Sequence, residues 1–298
     1  MNSLPFAAGL HRYAIAVAVC TFTLVLAGAA MVSKEGRMEA AAAAGPSALS
    51  DLHHLLGALC GLLALILMTW LQRTNEPNWL KRLALGVLVL IGAQGAIGIL
   101  GFTGMVSGAV SIPHAVLAHV LFSLTALMAV LTSQSWKEPP ARIPDGGSPS
   151  LRSLAWVAPL AVLVQIGLGA AYRHKALGLV PHVAWAFAAA VVVMAAATFV
   201  LVHDRKHVGM CRSAVFLLLL APTQILAGVA AYFTRARFEE NPETWMWMMA
   251  GTVAHTGLGA LVLASSVILS ALTLRHIEAP EEGVRAPGSA RAGNGRGR

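Results

Sequence analysis

Eight stretches of mostly apolar residues, at approximately 13–33, 52–71, 82–102, 113–133, 153–172, 181–202, 213–233 and 245–272, leave this chain few folds to choose from. A run of about 20 such residues crosses the roughly 30 Å hydrocarbon core of a bilayer as a helix. Lipid offers no partner to a bare backbone amide, and the runs are too long for barrel strands, so each is expected to be a transmembrane α-helix. A charged share of 11%, against about 25% in soluble domains, agrees. The first run ends in small residues, Ala27-Gly28-Ala29-Ala30, as a signal peptide does. It exceeds the usual signal core of about 7–15 residues and is read as a helix.

Fifteen of the 21 Lys and Arg residues fall at the N-terminus, in the connections after every second run, and in the C-terminal tail. Six fall on the other side: Lys34, Arg37, Arg173, Lys175, Arg235 and Arg237. The positive-inside rule therefore predicts both termini in the cytoplasm. The net charge of +8 is a matter of topology, and no nucleic-acid partner is expected. Cys20, Cys60 and Cys211 lie within or at the edge of helices, and no external loop carries a cysteine pair. Neither a disulfide nor a thiol relay is expected, and Cys60 reads as a small packing residue.

The connections divide the chain. After the external segment 34–50, with Gly45-Pro46-Ser47, either Ser50 or Asp51 can cap the second helix. Pro113 starts the fourth helix, where proline is tolerated. Residues 134–151, with Pro139-Pro140, Pro144 and Gly146-Gly147, form the longest interior polar linker and separate residues 12–133 from 152–275. Residues 276–298 read as a disordered cytoplasmic tail. The halves look like copies: His54 to His182 is 128 residues, Gln94 to Gln224 is 130, and His119 to His255 is 136. Four helices return the chain to its starting side, so the copies share one orientation about an axis along the membrane normal. The expected fold is an all-α integral membrane protein with eight transmembrane helices in two tandem four-helix bundles, each with an interior site.

His54, His119, His182 and His255 recur near the starts of the even helices, which all run from outside to inside, at matched depth in the outer half of the membrane. Two opposed imidazoles in a dry pocket are the protein's usual contribution to a six-coordinate b-type haem. His54 with His119, and His182 with His255, are the expected iron ligands. Small residues four positions on, Ala58, Ser123, Ala186 and Gly259, would let a flat guest approach, although helix packing uses small residues too. Zinc or copper would want cysteine or carboxylate company, and only Asp51 is near. A proton relay would want a chain of Asp, Glu and His. His53, about 100° around the helix from His54, reads as interfacial, and His114 as a surface residue and fallback ligand. His11, His174, His203, His207 and His276 read as solvated.

Gln94, Gln165 and Gln224 each stand four residues before a glycine, Gly98, Gly169 and Gly228, in odd helices; helix 1 has Leu24 before Gly28. A buried amide needs a partner, found either in the wall of a cofactor pocket or across a helix interface. Asp51 lies three residues before His54 on the same helix face, and both a capping and a chemical role are open to it.

Eight helices in two sets, a histidine near the start of each even helix, Gln-x-x-x-Gly in odd helices and an acidic residue three before the first histidine resemble the haem A synthase family of cytochrome oxidase assembly proteins, over roughly residues 12–275. The resemblance implies oxidation of the ring methyl of haem O to the formyl of haem A. It implies a prosthetic haem b on His182 and His255, and substrate haem O on His54 and His119, with Gln94 and Gln224 in the pocket walls. Asp51 and His54 would be the catalytic residues, Asp51 accepting a proton or stabilising positive charge. Where the family typically carries Glu-x-x-His-Arg, this chain has Asp51-Leu52-His53-His54-Leu55. The implied partners are haem O, haem A, a haem O synthase, oxidase assembly factors and the lipid bilayer. The implied location is a bacterial cytoplasmic (inner) membrane, with the haem sites toward its outer face. A haem-handling protein without turnover, or a di-haem b-type electron carrier exchanging with quinone, would carry the same histidines.

Overall fold

The computed structural model describes residues 4–38, 48–102, 110–140, 143–145, 148–203, 207–238 and 244–278. Eight helices are long and apolar enough to cross a bilayer: α1 (Leu4–Met38), α2 (Ala48–Gln72), α3 (Asn78–Phe102), α4 (Ser111–Leu131), α6 (Leu151–Arg173), α7 (Leu179–His203), α8 (Val208–Phe238) and α9 (Trp245–His276). Between α4 and α6 lies a short helix, α5 (Gln134–Lys137). Most helices outrun their apolar stretch, because the hydrogen-bond ladder continues through flanking residues whatever their polarity. One result is that α2 begins at Ala48, so Ser50 and Asp51 lie inside its first turn and neither is the N-cap residue. Of the tail expected at 276–298, residues from 279 on lie outside those described.

Each helix packs on the next, and the packing closes twice. Helix α1 lies against α2, α2 against α3, α3 against α4, and α4 back against α1; α6, α7, α8 and α9 close in the same way. Helices α4 and α9 run side by side between the two groups, flanked by matching contacts of α1 on α9 and of α4 on α6. Where a chain is already surrounded by lipid, close van der Waals packing holds helices together more than the hydrophobic effect does. The seam obeys this: a Cβ added to Gly257 would meet Leu26 at 2.7 Å, so glycine there is what lets α1 rest on α9. Val25, Phe122, Ala260 and Ala264 fill the rest of that seam.

Each group of four has a tightly packed core in one half only. In the first it is built from residues such as Leu10, Val17, Leu67, Leu71, Leu80 and Met128, and in the second from Val193, Val200, Met210 and Leu217, all at most 2% exposed. These lie where α1, α3, α6 and α8 begin and where α2, α4, α7 and α9 end. The sequence-predicted histidines stand toward the opposite half.

The described parts of the linker at 134–151 are tied to the helices on either side. Ser133 caps α5 by accepting from the Trp136 amide, and the Arg275 guanidinium lies 4.2 Å over the Trp136 ring. Asp145 accepts from the amides of Leu151 and Arg152 at the start of α6. Arg152 donates to the carbonyls of Ile277 (2.7 Å) and Leu274 (3.3 Å), which a helix C-terminus otherwise leaves unpaired. The linker thus straps the end of α9 to the start of α6.

Candidate functional site

His182, near the start of α7, faces His255 of α9 with ring centroids 6.2 Å apart and planes at 89°. That spacing is too wide for a hydrogen bond between the rings and suits one intervening atom. Imidazole nitrogens sit about 2.0 Å from a metal, and the ring centre lies about 1 Å beyond, so two imidazoles on opposite sides of one ion have centroids about 6 Å apart.

Both rings rest in cradles made by glycine. A Cβ on Gly169 of α6 would lie 2.9 Å from His182 Cε1 and 3.2 Å from its Nδ1; one on Gly228 of α8 would lie 2.9 Å from His255 Cε1 and 3.3 Å from its Nδ1. Glycine at position i+4 does more than make room. It uncovers the carbonyl of residue i, and the backbone at Gln165 and at Gln224 indeed lies beside His182 and His255.

The same construction recurs in the first group, but on different histidines from those expected. His53 of α2 and His114 of α4 face each other at 6.4 Å with planes at 70°. A Cβ on Gly28 would meet His53 Cε1 at 3.0 Å, and one on Gly98 would meet His114 Cε1 at 3.4 Å. The backbone at Leu24 lies beside His53, and Gln94 Nε2 donates to the His114 carbonyl at 3.0 Å. Leu24-x-x-x-Gly28, which seemed to break the glutamine series, completes it, since the glycine forms the cradle and the side chain at position i does not.

His54 and His119 are not brought together in this way. His54 is exposed on the face of α2 that also carries Leu55, and Asp51 is exposed as well. The 100° between neighbouring helix positions turns His53 inward and His54 outward. His119 is 7% exposed, but its Nδ1 donates to Ala115 of its own helix at 2.7 Å, and the backbone at Thr256 lies beside it. It therefore belongs to the seam between α4 and α9. Others read as solvated are also engaged: His11 Nδ1 donates to the Ala129 carbonyl at 2.9 Å, and His276, 5% exposed, packs on His207 with centroids 3.7 Å apart. His203 alone of this set is exposed, stacked on Phe199. His174 is half-buried.

Several buried polar atoms of both pairs and their glutamines lack a partner. Nδ1 of His53, His114 and His255, and Oε1 of Gln94, Gln165 and Gln224, are buried and make no hydrogen bond among the described residues. Gln165 turns its Nε2 to His182 Nδ1 at 3.1 Å. No third or fourth side chain completes either pair, because no cluster of three or more His, Cys, Asp or Glu among the described residues could hold a metal ion. Two facing imidazoles without a further His, Cys, Asp or Glu donor among the described residues would suit a metal that brings its own ligands, as haem iron does.

One known family matches part of the chain. Residues 52–182 match the family model described as cytochrome oxidase assembly protein. The match spans less than half of the chain and agrees with the family resemblance seen in the sequence. It takes in His53, His114 and His182, together with Gly98 and Gly169, and stops before Gly228 and His255. No curated protein matches the chain significantly.

Proposed function

We propose that this chain is a haem-binding membrane protein of cytochrome oxidase assembly with two bis-histidine sites: a b-type haem on His182 and His255, and haem O on His53 and His114. The observation that carries this reading is the repeated cradle, in which four histidines from α2, α4, α7 and α9 each lie against a glycine of α1, α3, α6 or α8. Haem held by two imidazoles supplies one-electron redox chemistry. The chain's own residues would orient each imidazole by seating its ring against a glycine of the neighbouring helix. The two groups of helices would act as separate sites in a bacterial cytoplasmic membrane, with both termini in the cytoplasm.

Oxidation of haem O to haem A is the reaction that the family resemblance attaches to the first site. One observation favours a second reading, in which the chain binds and hands on haem without turnover. Asp51 is exposed on α2, and counting from His53 rather than His54 the position three residues before is Ser50, with His54 following where the family carries arginine.

Co-expression with a haem O synthase, followed by haem extraction and chromatography, separates the two. Haem A in the extract supports oxidation; unchanged haem O alongside haem b supports handling. In either case two haems are expected per chain, falling to one in His53→Ala or in His255→Ala. A protein that carries no haem, or one whose haem content is unaffected by both variants, overturns the proposal.

A further inference from the structure

Cys20 of α1 and Cys60 of α2, far apart in sequence, bring their sulfur atoms to 3.0 Å. This is well inside the separation of two non-bonded sulfurs and about 1 Å beyond the length of a disulfide bond. Cys60 is fully buried, and Cys20 is partly exposed at the rim of the same seam. The sequence predicts no disulfide because it looks for cysteines in external loops; here the pairing is made by two helix faces.

We propose that Cys20 and Cys60 form a dithiol that a lipid-soluble quinone oxidises to an intramembrane disulfide. Thiol–disulfide exchange with water-soluble compounds runs through thiolate, a form that hydrocarbon disfavours. A quinone dissolves in the same hydrocarbon and reaches the partly exposed Cys20 from the bilayer. In the reaction both S–H bonds break and one S–S bond forms. Two electrons and two protons pass to the two oxygens of the quinone, which leaves as a quinol.

The location gives the bond a consequence. Gly28 follows Cys20 along α1, and His53 precedes Cys60 along α2, by about two helical turns, or roughly 11 Å. The disulfide would therefore clamp the α1–α2 seam just beneath the contact between Gly28 and His53. Reduced, the seam is held by packing and by the Tyr13 hydroxyl, which donates to the Leu63 carbonyl at 3.2 Å; oxidised, it is covalent.

The test uses the full-length protein in lipid nanodiscs, treated with a short-chain ubiquinone, then denatured and alkylated for intact-mass and peptide mass spectrometry. The expected result is a loss of the mass of two hydrogen atoms, two fewer alkylated thiols, a cross-linked peptide pair containing Cys20 and Cys60, and an alkylated Cys211. Cys20→Ser and Cys60→Ser each abolish the change, and Cys211→Ser leaves it intact. Copper phenanthroline serves as a second oxidant. If neither oxidant joins Cys20 to Cys60, the pairing is overturned; if only copper phenanthroline does, the quinone assignment is.

Discussion

Replacing Gly228 by alanine places a methyl group where the His255 ring now lies, with its carbon 2.9 Å from Cε1, 3.3 Å from Nδ1 and 3.7 Å from Nε2. Ordinary carbon–carbon contacts are about 3.5–4.0 Å, so the ring must retreat by about 0.6 Å or more, or α8 and α9 must part. Overpacking of this kind costs about 1–3 kcal/mol, partly offset by alanine's advantage over glycine in a helix, up to about 1 kcal/mol. The net effect on the fold is thus small, about 0–2 kcal/mol. Ligation is less forgiving, because metal–ligand distances hold to within about 0.2 Å. Gly228→Ala is therefore expected to keep its fold and lose the haem of that site. Gly169→Ala, with the same 2.9 Å approach to His182, should do the same, and Gly28→Ala, at 3.0 Å, should empty the first site. Gly98→Ala, at 3.4 Å, should be mild, and Gly95→Ala, with nothing within 4 Å, should be silent. Haem per chain from the reduced pyridine spectrum, read beside a thermal melt in detergent, gives both quantities. Equal haem content in Gly228→Ala and Gly95→Ala would refute the cradle.

Three further outcomes follow from other parts of the molecule. His53→Ala should lose the first-site haem and His54→Ala should keep it, so the spectra of these adjacent variants decide which face of α2 is the ligand face. Arg152→Ala removes the donor to Leu274 and Ile277. Hydrogen bonds from charged groups contribute about 1.5–3 kcal/mol, discounted here for partial solvent access to about 1–2 kcal/mol, and a lowered melting temperature is the readout. His174, in the α6–α7 turn, has its pKa held below 6.5 by burial, with repulsion from Arg173 and His114 adding to it. The unfolded chain then takes up the proton first, so this contribution to stability is complete above the ordinary histidine value and is lost as pH falls from there toward the folded value. His174→Gln should flatten that part of the acid-side decline in melting temperature; an unchanged decline would exclude the residue.

The bilayer made the helices legible, because about 20 apolar residues have few other uses. Rotation about each helix axis was not legible. Depth along the membrane picks out His53 and His54 equally, and only packing against α1 says that His53 faces inward. Depth also could not separate His119, in the seam beside α9, from a residue inside a bundle. The facing of His182 and His255 was readable because neither helix has a second histidine beside the first. The spacing of Gly28, Gly98, Gly169 and Gly228 held the missing phase information, but reading it required attention to the glycines and not to the glutamines in front of three of them. Cys20 and Cys60 were opaque for the same reason: their contact depends on how α1 and α2 are turned toward each other.

The half-packed cores give each set of four helices the mechanics of a tuning fork. The stem is stiff, with Leu67, Leu80 and Met128 locked in one group and Val193 and Leu217 in the other, whereas the prongs carry the histidines and meet through glycine and alanine. Spreading prongs bends long helices gently and leaves the stem undisturbed. A rigid flat guest could thus enter or leave sideways from the lipid without any part of the fold coming undone.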